Sequence, residues 1–299
     1  MPIEFVDDRG DVLRLPRAPR RIVSLVPSDT YTLVCLGAGD RLVGRTRYCV
    51  QPAAEVAGIP DVGGTKNVDL DKVMSLEPEL VIANQEENTK ADIVHLRERG
   101  ARVLVTFPKR LAEGLAQVAR LGRVLSDLDD RARLRVKAAY AALREAEAAG
   151  PLSERVSTFV PIWMDPLMTI NDDTFIADVL AHVGARNVFG DRVRRYPLAA
   201  DVGTARPLTG QKVDGRDTRY PRVTLEEVTA RAPELLLLPD EPHPFSEADA
   251  DVFRALPIPA AKTGRVALCK GKGLMWPGLM SLESLPALRQ LVQITGRAG

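Results

Sequence analysis

The sequence predicts an α/β protein: two parallel-sheet α/β lobes joined by a single long α-helix, with a ligand cleft between the lobes. Three observations predict it. The stretch Val68 to Ile82 reads VDLDKVMSLEPELVI, and a degenerate copy, VTLEEVTARAPELLL, returns 155 residues later at Val223 to Leu237. In register, Val68, Leu70, Val73, Pro78, Glu79 and Leu80 face Val223, Leu225, Val228, Pro233, Glu234 and Leu235, with Asp71 opposite Glu226. A repeat of this length marks two related halves. The chain has 299 residues, above the size at which one hydrophobic core stops growing. Helix-periodic segments also alternate with short apolar runs, the pattern of a mostly parallel sheet covered on both faces. The expected division is 1–124 for the first lobe, 125–149 for the connecting helix and 150–299 for the second lobe.

Each copy of the repeat is a helix, a turn and a strand. Leu70, Val73, Met74 and Glu77 recur at helical spacing with an acid in the first turn, as do Leu225 and Val228. The proline then ends or follows the helix, since it lacks an N–H and biases its predecessor towards extended geometry. Leu80 to Ala83 and Leu235 to Leu238 are short enough to be buried parallel strands.

In chain order, Ile3 to Phe5 and Val12 to Leu15 flank the turn-forming Asp7-Asp8-Arg9-Gly10-Asp11 and predict a hairpin, read as a lid or edge ribbon. Arg21 to Val26 is a strand, and Ser28 is placed to N-cap a helix running to Gly37. Arg41 to Val43 is a second short strand, followed by the loop Arg45 to Pro52. The loop Asn84 to Asn88 leads to a helix with Ile93, Val94 and Leu96 on one face, and Gly100 precedes a strand at Val103 to Thr106. Between about Leu111 and Ala149 strand signals vanish. Asp127 to Ala149 opens with acids, is rich in Ala, Arg, Leu and Glu, and meets Gly150-Pro151, so it is read as a rigid helical connector. In the second half, Val156 to Val160 is a strand and Pro161 to Pro166 a loop. Asp173-Thr174-Phe175 opens a helix ending at Gly184-Ala185, an echo of Asp29-Thr30-Tyr31 and Gly37-Ala38. Phe189 to Arg222 is a long Arg-, Gly- and Pro-rich connection, the kind of segment that is functional or partly mobile. Val266 to Leu268 is a last strand and Leu282 to Ile294 a terminal helix.

Composition excludes several classes of function. A formal charge of +1 with 45% hydrophobic and 27% charged residues supplies no whole-protein argument for nucleic acid or an acidic membrane. No segment approaches the roughly 20 apolar residues of a membrane span. The start, MPIEFVDDRGDVLRL, lacks the basic and apolar regions of a secretory signal, so the chain reads as cytoplasmic if complete as given, or as one whose leader has been trimmed. Cys35, Cys49 and Cys269 have no CxxC spacing and read as core thiols. There is no GxGxxG, GxxxxGK[ST] or GxSxG, and His95, His182 and His243 lack metal-ligand spacing, so neither a catalytic set nor a protein-held metal is expected. His182 is placed in a helix facing the core. The pair Asp172-Asp173 before Thr174 reads as part of a helix N-cap.

The arrangement resembles the ABC-transporter receptors for cobalamin, ferric siderophores and haem, over nearly the whole chain. The resemblance rests on RRIVSLVPSDT and its helix, VGRTRYCVQPA, VGGTKNVDLDKVMSLEPELVIA, the connector, and TLEEVTARAPELLLLP. It implies a monomeric binding protein, not an enzyme, that closes modestly on a metal chelate: a corrinoid, a ferric siderophore or haem. No covalently held cofactor and no nucleic acid are expected. It also implies a periplasmic or cell-surface location where a leader has been removed, and docking of Asp71 and Glu226 onto an ABC permease dimer. Asp71 is one methylene shorter than the family's Glu, and Thr65 and Asn84 stand where the cobalamin receptor presents tryptophans.

Clefts at domain interfaces collect strand-end loops, so the expected wall residues are Ser28, Tyr31, Tyr48, Thr65, Asn84, Trp163, Tyr196 and Trp276. Arg45, Arg47, Lys66, Arg194 and Arg195 lie in or beside the same loops. If they converge, they favour carboxylate or catecholate oxygens. Haem would take Tyr48 as its axial ligand in preference to His182. Two other readings remain: a cytosolic sequestering or regulatory protein of the same fold, and a metallocluster-type enzyme, for which three scattered cysteines make a poor site.

Overall fold

The hairpin expected at the amino end forms from β1 (Ile3–Val6) and β2 (Val12–Leu15), paired antiparallel in the computed structural model of the protein. The structure describes residues 2–125, 127, 130–148, 155–210 and 213–294. The hairpin is not a free lid. The Asp7 carboxylate, its side chain fully buried, accepts from the backbone N–H groups of Arg9, Asp11 and Val105 and from the Arg97 guanidinium. Asp8 N–H donates to the Val105 carbonyl. An aspartate at a turn supplies these acceptors, and here they bolt the ribbon to the first sheet.

That sheet begins with β3 (Ile22–Ser24), then α1 (Pro27–Cys35), a 3-10 turn at Gly39–Arg41 and β4 (Leu42–Arg45). Ser28 does not cap α1. Val26 occupies the N-cap and Pro27 the first helical position, where its missing N–H costs nothing. The second strand lies one residue later than expected because Arg41 closes the 3-10 turn. After α2 (Ala53–Val56) come α3 (Leu70–Ser75), β5 (Leu80–Asn84), α4 (Lys90–Glu98) and β6 (Val103–Thr106). Ile93 and Leu96 of α4 are buried, while Val94 points to solvent, since at helical spacing it lies off their stripe. The helices α5 (Leu111–Val124) and α6 (Asp130–Ala148) follow. Residues 149–151, where the connector was expected to stop, lie outside the described residues.

The second sheet starts at β7 (Val156–Phe159). Where a loop was expected, Pro161–Met164 (β8) and Leu167–Thr169 (β9) pair antiparallel across the Asp165-Pro166 turn. Then come α7 (Phe175–His182), β10 (Ala185–Asn187), α8 (Leu198–Asp201), α9 (Leu225–Arg231) and β11 (Leu235–Pro239). Thr174, rather than the acids before it, caps α7 by accepting from Ala177 N–H. The chain ends with α10 (Glu247–Arg254), α11 (Pro259–Lys262), β12 (Val266–Cys269), α12 (Lys272–Met275) and α13 (Leu279–Ile294).

The two four-stranded sheets are parallel and have the same strand order, β4-β3-β5-β6 and β10-β7-β11-β12. Met1–Leu143 with Trp276–Glu283 forms one compact unit, and Arg144–Met275 with Ser284–Gly299 the other. In the first, Val23, Val81, Val103 and Val105 of the sheet pack with Val73 and Ile93 of the helices. In the second, Phe159 meets Phe189 at 5.3 Å and Phe253 at 5.9 Å between ring centroids, in tilted and edge-on arrangements that suit aromatic quadrupoles. Cys49 is fully buried, whereas Cys35 and Cys269 are only partly so, and all three are free thiols.

The duplication extends to details that the residue types alone do not show. Among the described residues, Glu77 and Ala232 are the two non-glycine residues with left-handed backbone, φ +46° and +47°, and they occupy equivalent positions of the repeat. Each terminates its helix so that the following Pro can lead into the strand. Glu79 accepts from the backbone N–H groups of Arg20 and Arg21 at the start of β3, and Glu234 from the N–H and hydroxyl of Ser157 at the start of β7. Hydrogen bonding holds both carboxyls below the usual carboxylate range. Left-handed backbone strains a side chain that glycine would not carry. Glu77→Gly and Ala232→Gly are therefore expected to stabilise their own units by about 1 kcal/mol each, read as higher midpoints in thermal or urea unfolding.

Candidate functional site

In each sheet the connections leaving two adjacent strands run to opposite sides, β3 to β4 and β5 to β6 in the first, β7 to β10 and β11 to β12 in the second, so the crevice outside the carboxyl ends of β3 and β5, or of β7 and β11, is the topological switch point where open α/β sheets bind ligands. In the first unit these ends are wired by a buried polar chain. Asn84, the last residue of β5, donates from Nδ2 to Thr106 Oγ1 at 3.2 Å, and its Oδ1 accepts from the N–H groups of Glu86 (2.7 Å) and Glu87 (3.2 Å). Asn88 accepts from Asn84 N–H at 2.8 Å and donates to the carbonyls of Thr65 (3.0 Å) and Leu25 (3.4 Å). Thr106 Oγ1 in turn reaches Asp29 Oδ2 at 3.3 Å, and Gln117 Nε2 donates to Asp29 Oδ1 at 3.1 Å. Burial pushes the Asp29 carboxyl up to about 6, against the hydrogen bonds from Gln117 and Thr106.

This wiring brings Thr65, Lys66, Asn84 and Tyr48 together. Lys66 Nζ donates to the Glu86 carbonyl. The Tyr48 ring lies along Gly64, where a Cβ would touch Tyr48 Cε2 at 3.4 Å and press on Asn67 Oδ1, so a larger residue there displaces the Asn67 side chain. Tyr48 is 56% exposed and presents its ring to solvent. Ser28 is buried in the first turn of α1. Asn84 and Thr65 are also buried, and the amide of Asn84 is spent on internal bonds. Tyr31 donates to Glu283 Oε2 at 2.8 Å, beside the Arg135–Glu283 ion pair. Trp276 is buried.

Within each unit most of the expected cations have local partners. Arg45 gives its guanidinium to the carbonyls of Val56 (2.8 Å) and Thr46 (3.1 Å), and Arg47 lies 4.0 Å from Asp61. In the second unit Arg194 and Arg216 stack on the Tyr196 ring at 5.3 and 4.8 Å, and Tyr196 donates to the Asp217 carbonyl. Arg195 is exposed, and its backbone N–H is held by Asp201. Trp163, 43% exposed, belongs to a different cluster: it meets His243 edge-on at 5.6 Å, and His243 meets Phe245 at 4.6 Å. His243 stands just past the end of β11 and was not among the residues expected from the sequence. His182 is half-buried, its Nδ1 against the Asp178 carbonyl. Among the described residues no group of three or more His, Cys, Asp or Glu is placed to hold a metal ion, and no helix is long and apolar enough to cross a membrane.

Asp71 and Glu226 hold the same place, the second helical position of α3 and α9, after N-caps Asp69 and Thr224. Both are exposed. Asp71 pairs with Arg99 at 2.8 Å. Glu226 makes no ion pair among the described residues, and a hydrogen bond from the Thr224 hydroxyl holds its carboxyl below the usual range.

With this geometry in view, the chain matches the family model described as "Periplasmic binding protein" over residues 22–272. It is 31% identical over 198 residues to YvrC of Bacillus subtilis (strain 168), described as an uncharacterized ABC transporter substrate-binding lipoprotein. That alignment covers 64% of this chain and 62% of the relative. Among solved structures, the periplasmic vitamin B12 binding protein BtuF of Vibrio cholerae superposes with a TM-score of 0.74 at 17% identity, over 94% of this chain and 100% of that one. The periplasmic heme-binding protein RhuT of Roseiflexus sp. RS-1 gives 0.72 at 18% identity, over 93% and 99%. At these identities the two structures establish a shared fold.

Proposed function

Since this chain belongs to the periplasmic binding protein family, we propose that it is a substrate-binding receptor, carrying a metal chelate to an ABC permease without changing it chemically. The family match across 251 residues carries this reading; the duplicated sheets with loops at equivalent strand ends support it. The chelate is a corrinoid, a ferric siderophore or haem, the first and last being the ligands named for the two structural relatives. Tyr48 and Lys66 offer the ligand edge of the first unit, with Thr65, Asn84 and Ser28 fixing the loops behind it. Trp163, Arg195 and Tyr196 are the counterparts in the second. Tyr31, Arg45 and Trp276 serve this edge by packing, since their polar or aromatic groups are engaged internally. On this reading residues 1–124 and 150–299 are the two lobes and 125–149 the connector. Absorbance and mass-spectrometric analysis of whatever co-purifies with the protein identifies the chelate directly.

Asp71 and Glu226 are the proposed contacts to the permease. The Asp71–Arg99 pair favours a second reading, in which Asp71 has a structural partner and the protein sequesters its ligand without a permease. Charge reversal separates them. Asp71→Arg with Glu226→Arg is expected to abolish uptake in a cognate transporter assay while leaving ligand affinity within about threefold, because exposed helix-terminal acids contribute only ~0.3–1 kcal/mol to their own fold. Unchanged uptake favours sequestration.

A further inference from the structure

We propose that the exposed face of α6 is a contact for a membrane surface rich in anionic phospholipid headgroups. The contact stands apart from the receptor reading and from the choice of chelate. Its starting point is the order of charge along one helix. Between Arg131 and Arg144 the sequence RARLRVKAAYAALR holds five cations and no acid. The acids of α6 stand at its ends, Asp130 in the first turn and Glu145 and Glu147 in the last. The formal charge of the whole chain is only +1, so this stretch is a local concentration that composition conceals.

Helical spacing sorts these residues into three stripes. Ala132, Val136, Ala139 and Leu143, at i, i+4, i+7 and i+11, are buried or half-buried. Val136 seats them on α5: a Cβ on Gly122 would stand 2.9 Å from Val136 Cγ2, so the two helices meet there at a glycine. Arg133, Lys137, Tyr140 and Arg144 repeat the spacing one residue on, and Leu134, Ala138 and Ala141 one residue further. All seven are exposed, Leu134 to 64% and Tyr140 to 44%. Arg135 turns aside to Glu283, at 3.1 Å. Arg133 has Asp130 at 3.2 Å, but both side chains are exposed, and such a pair is too weak to keep the guanidinium from a phosphate. Lys137 and Arg144 have no ion-pair partner among the described residues.

The mix of residues selects the partner. Residues 133–144 of a straight helix run on the order of 17 Å, a line of charge that lies flat on a bilayer. An exposed leucine and tyrosine interleaved with cations match a headgroup layer, whose phosphates take the cations while the acyl boundary takes the apolar side chains. A nucleic acid backbone meets the cations as well, but leaves Leu134 with nothing apolar to cover it.

Co-sedimentation of the intact protein with large unilamellar vesicles, of phosphatidylcholine alone or with one-third phosphatidylglycerol, tests this. The expected result is binding to the anionic vesicles only, weakened about tenfold or more between roughly 50 and 300 mM salt because exposed charges are screened. Lys137→Gln with Arg144→Gln is expected to weaken it by about tenfold or more, each cation contributing about fivefold. Glu145→Gln with Glu147→Gln is expected to strengthen it at the same salt, a gain that unfolding does not produce. Both variants are expected to keep the thermal midpoint within about 2 °C, since all four side chains are exposed. Absence of binding to the anionic vesicles, binding that the Lys137 and Arg144 substitutions leave unchanged, or a preference for a short duplex DNA over the vesicles overturns the proposal. None of these results touches the chelate, so the receptor reading stands or falls separately.

Discussion

Replacing Arg192 with alanine is expected to cost the second unit about 3–5 kcal/mol, the range for stranding one member of a buried ion pair. Arg192 is buried beneath the long connection between β10 and α9. Its Nη1 lies 3.4 Å from Asp201 Oδ1 and donates to the Val193 carbonyl at 2.8 Å; its Nε reaches Glu227 at 3.2 Å. Its Nη2 donates to the carbonyls of Asp201 and, at 3.2 Å, Arg222. The Asp201 carboxylate is wholly buried and also accepts from the backbone N–H groups of Arg195 and Arg222. Without Arg192, its nearest remaining guanidinium is Arg194, at 4.0 Å. The long segment thus has a charged centre where a shorter loop would have none, and loss of that centre releases Arg195 and Tyr196 together. Arg192→Lys is expected to recover less than half of the loss, because an ammonium cannot span these acceptors at once. The two tryptophans report separately, Trp163 from the second unit and Trp276 from the first. Urea unfolding in a Trp276→Phe background should show the lower midpoint, while a Trp163→Phe background should not.

Asp29→Asn is expected to stabilise the first unit at pH 8 and to be nearly neutral at pH 4. The Asp29 carboxyl is buried, and its pKa of about 6 lies above the ordinary 3.8. Below the ordinary value both folded and unfolded chains are protonated. As pH rises through 3.8 and on to about 6, the unfolded chain releases its proton first, so stability falls across that window and stays lower above it. The ceiling on that loss is about 3 kcal/mol. The groups facing Asp29 are Gln117, Thr106, and, further off, Arg120 with its partner Asp8. Asparagine keeps an oxygen for Gln117, and its amide can donate to Thr106 Oγ1 while that hydroxyl donates to the Ala83 carbonyl, 3.3 Å away. Chemical denaturation of both proteins across pH 4–8 checks the sign; equal destabilisation by the substitution at both ends would show that the carboxylate itself is needed.

The repeat made most of the fold legible because it is local. Helical spacing in α3 and α9 and unbroken apolar runs in β5 and β11 act over a few residues, and four strands of identical order follow from placing two such units in parallel sheets. What remained hidden depends on partners far away in the chain. Arg45 reads as a ligand cation until Val56 and Thr46 claim its guanidinium. Asp29 reads as a helix-start acid until Thr106 and Gln117 bury it. The hairpin of β8 and β9 escaped because Pro161 opens its first strand, Pro166 stands in its turn, and its strands are three or four residues long. The offset between the halves also drifts, from 136 residues at Ile22 and Thr158, which face Leu80 and Leu235, to 155 at the repeat. That hairpin and the long segment after β10 lengthen the second unit, so a search at one fixed period finds only the later part of the duplication.

Calorimetric titration of the intact protein with cobalamin, haem and a panel of ferric siderophores tests the receptor reading most directly. The account predicts saturable binding of at least one of them at a single site per chain, with the chelate recovered unaltered. Failure of all of them to bind, together with turnover of some metabolite by the same preparation, would contradict it.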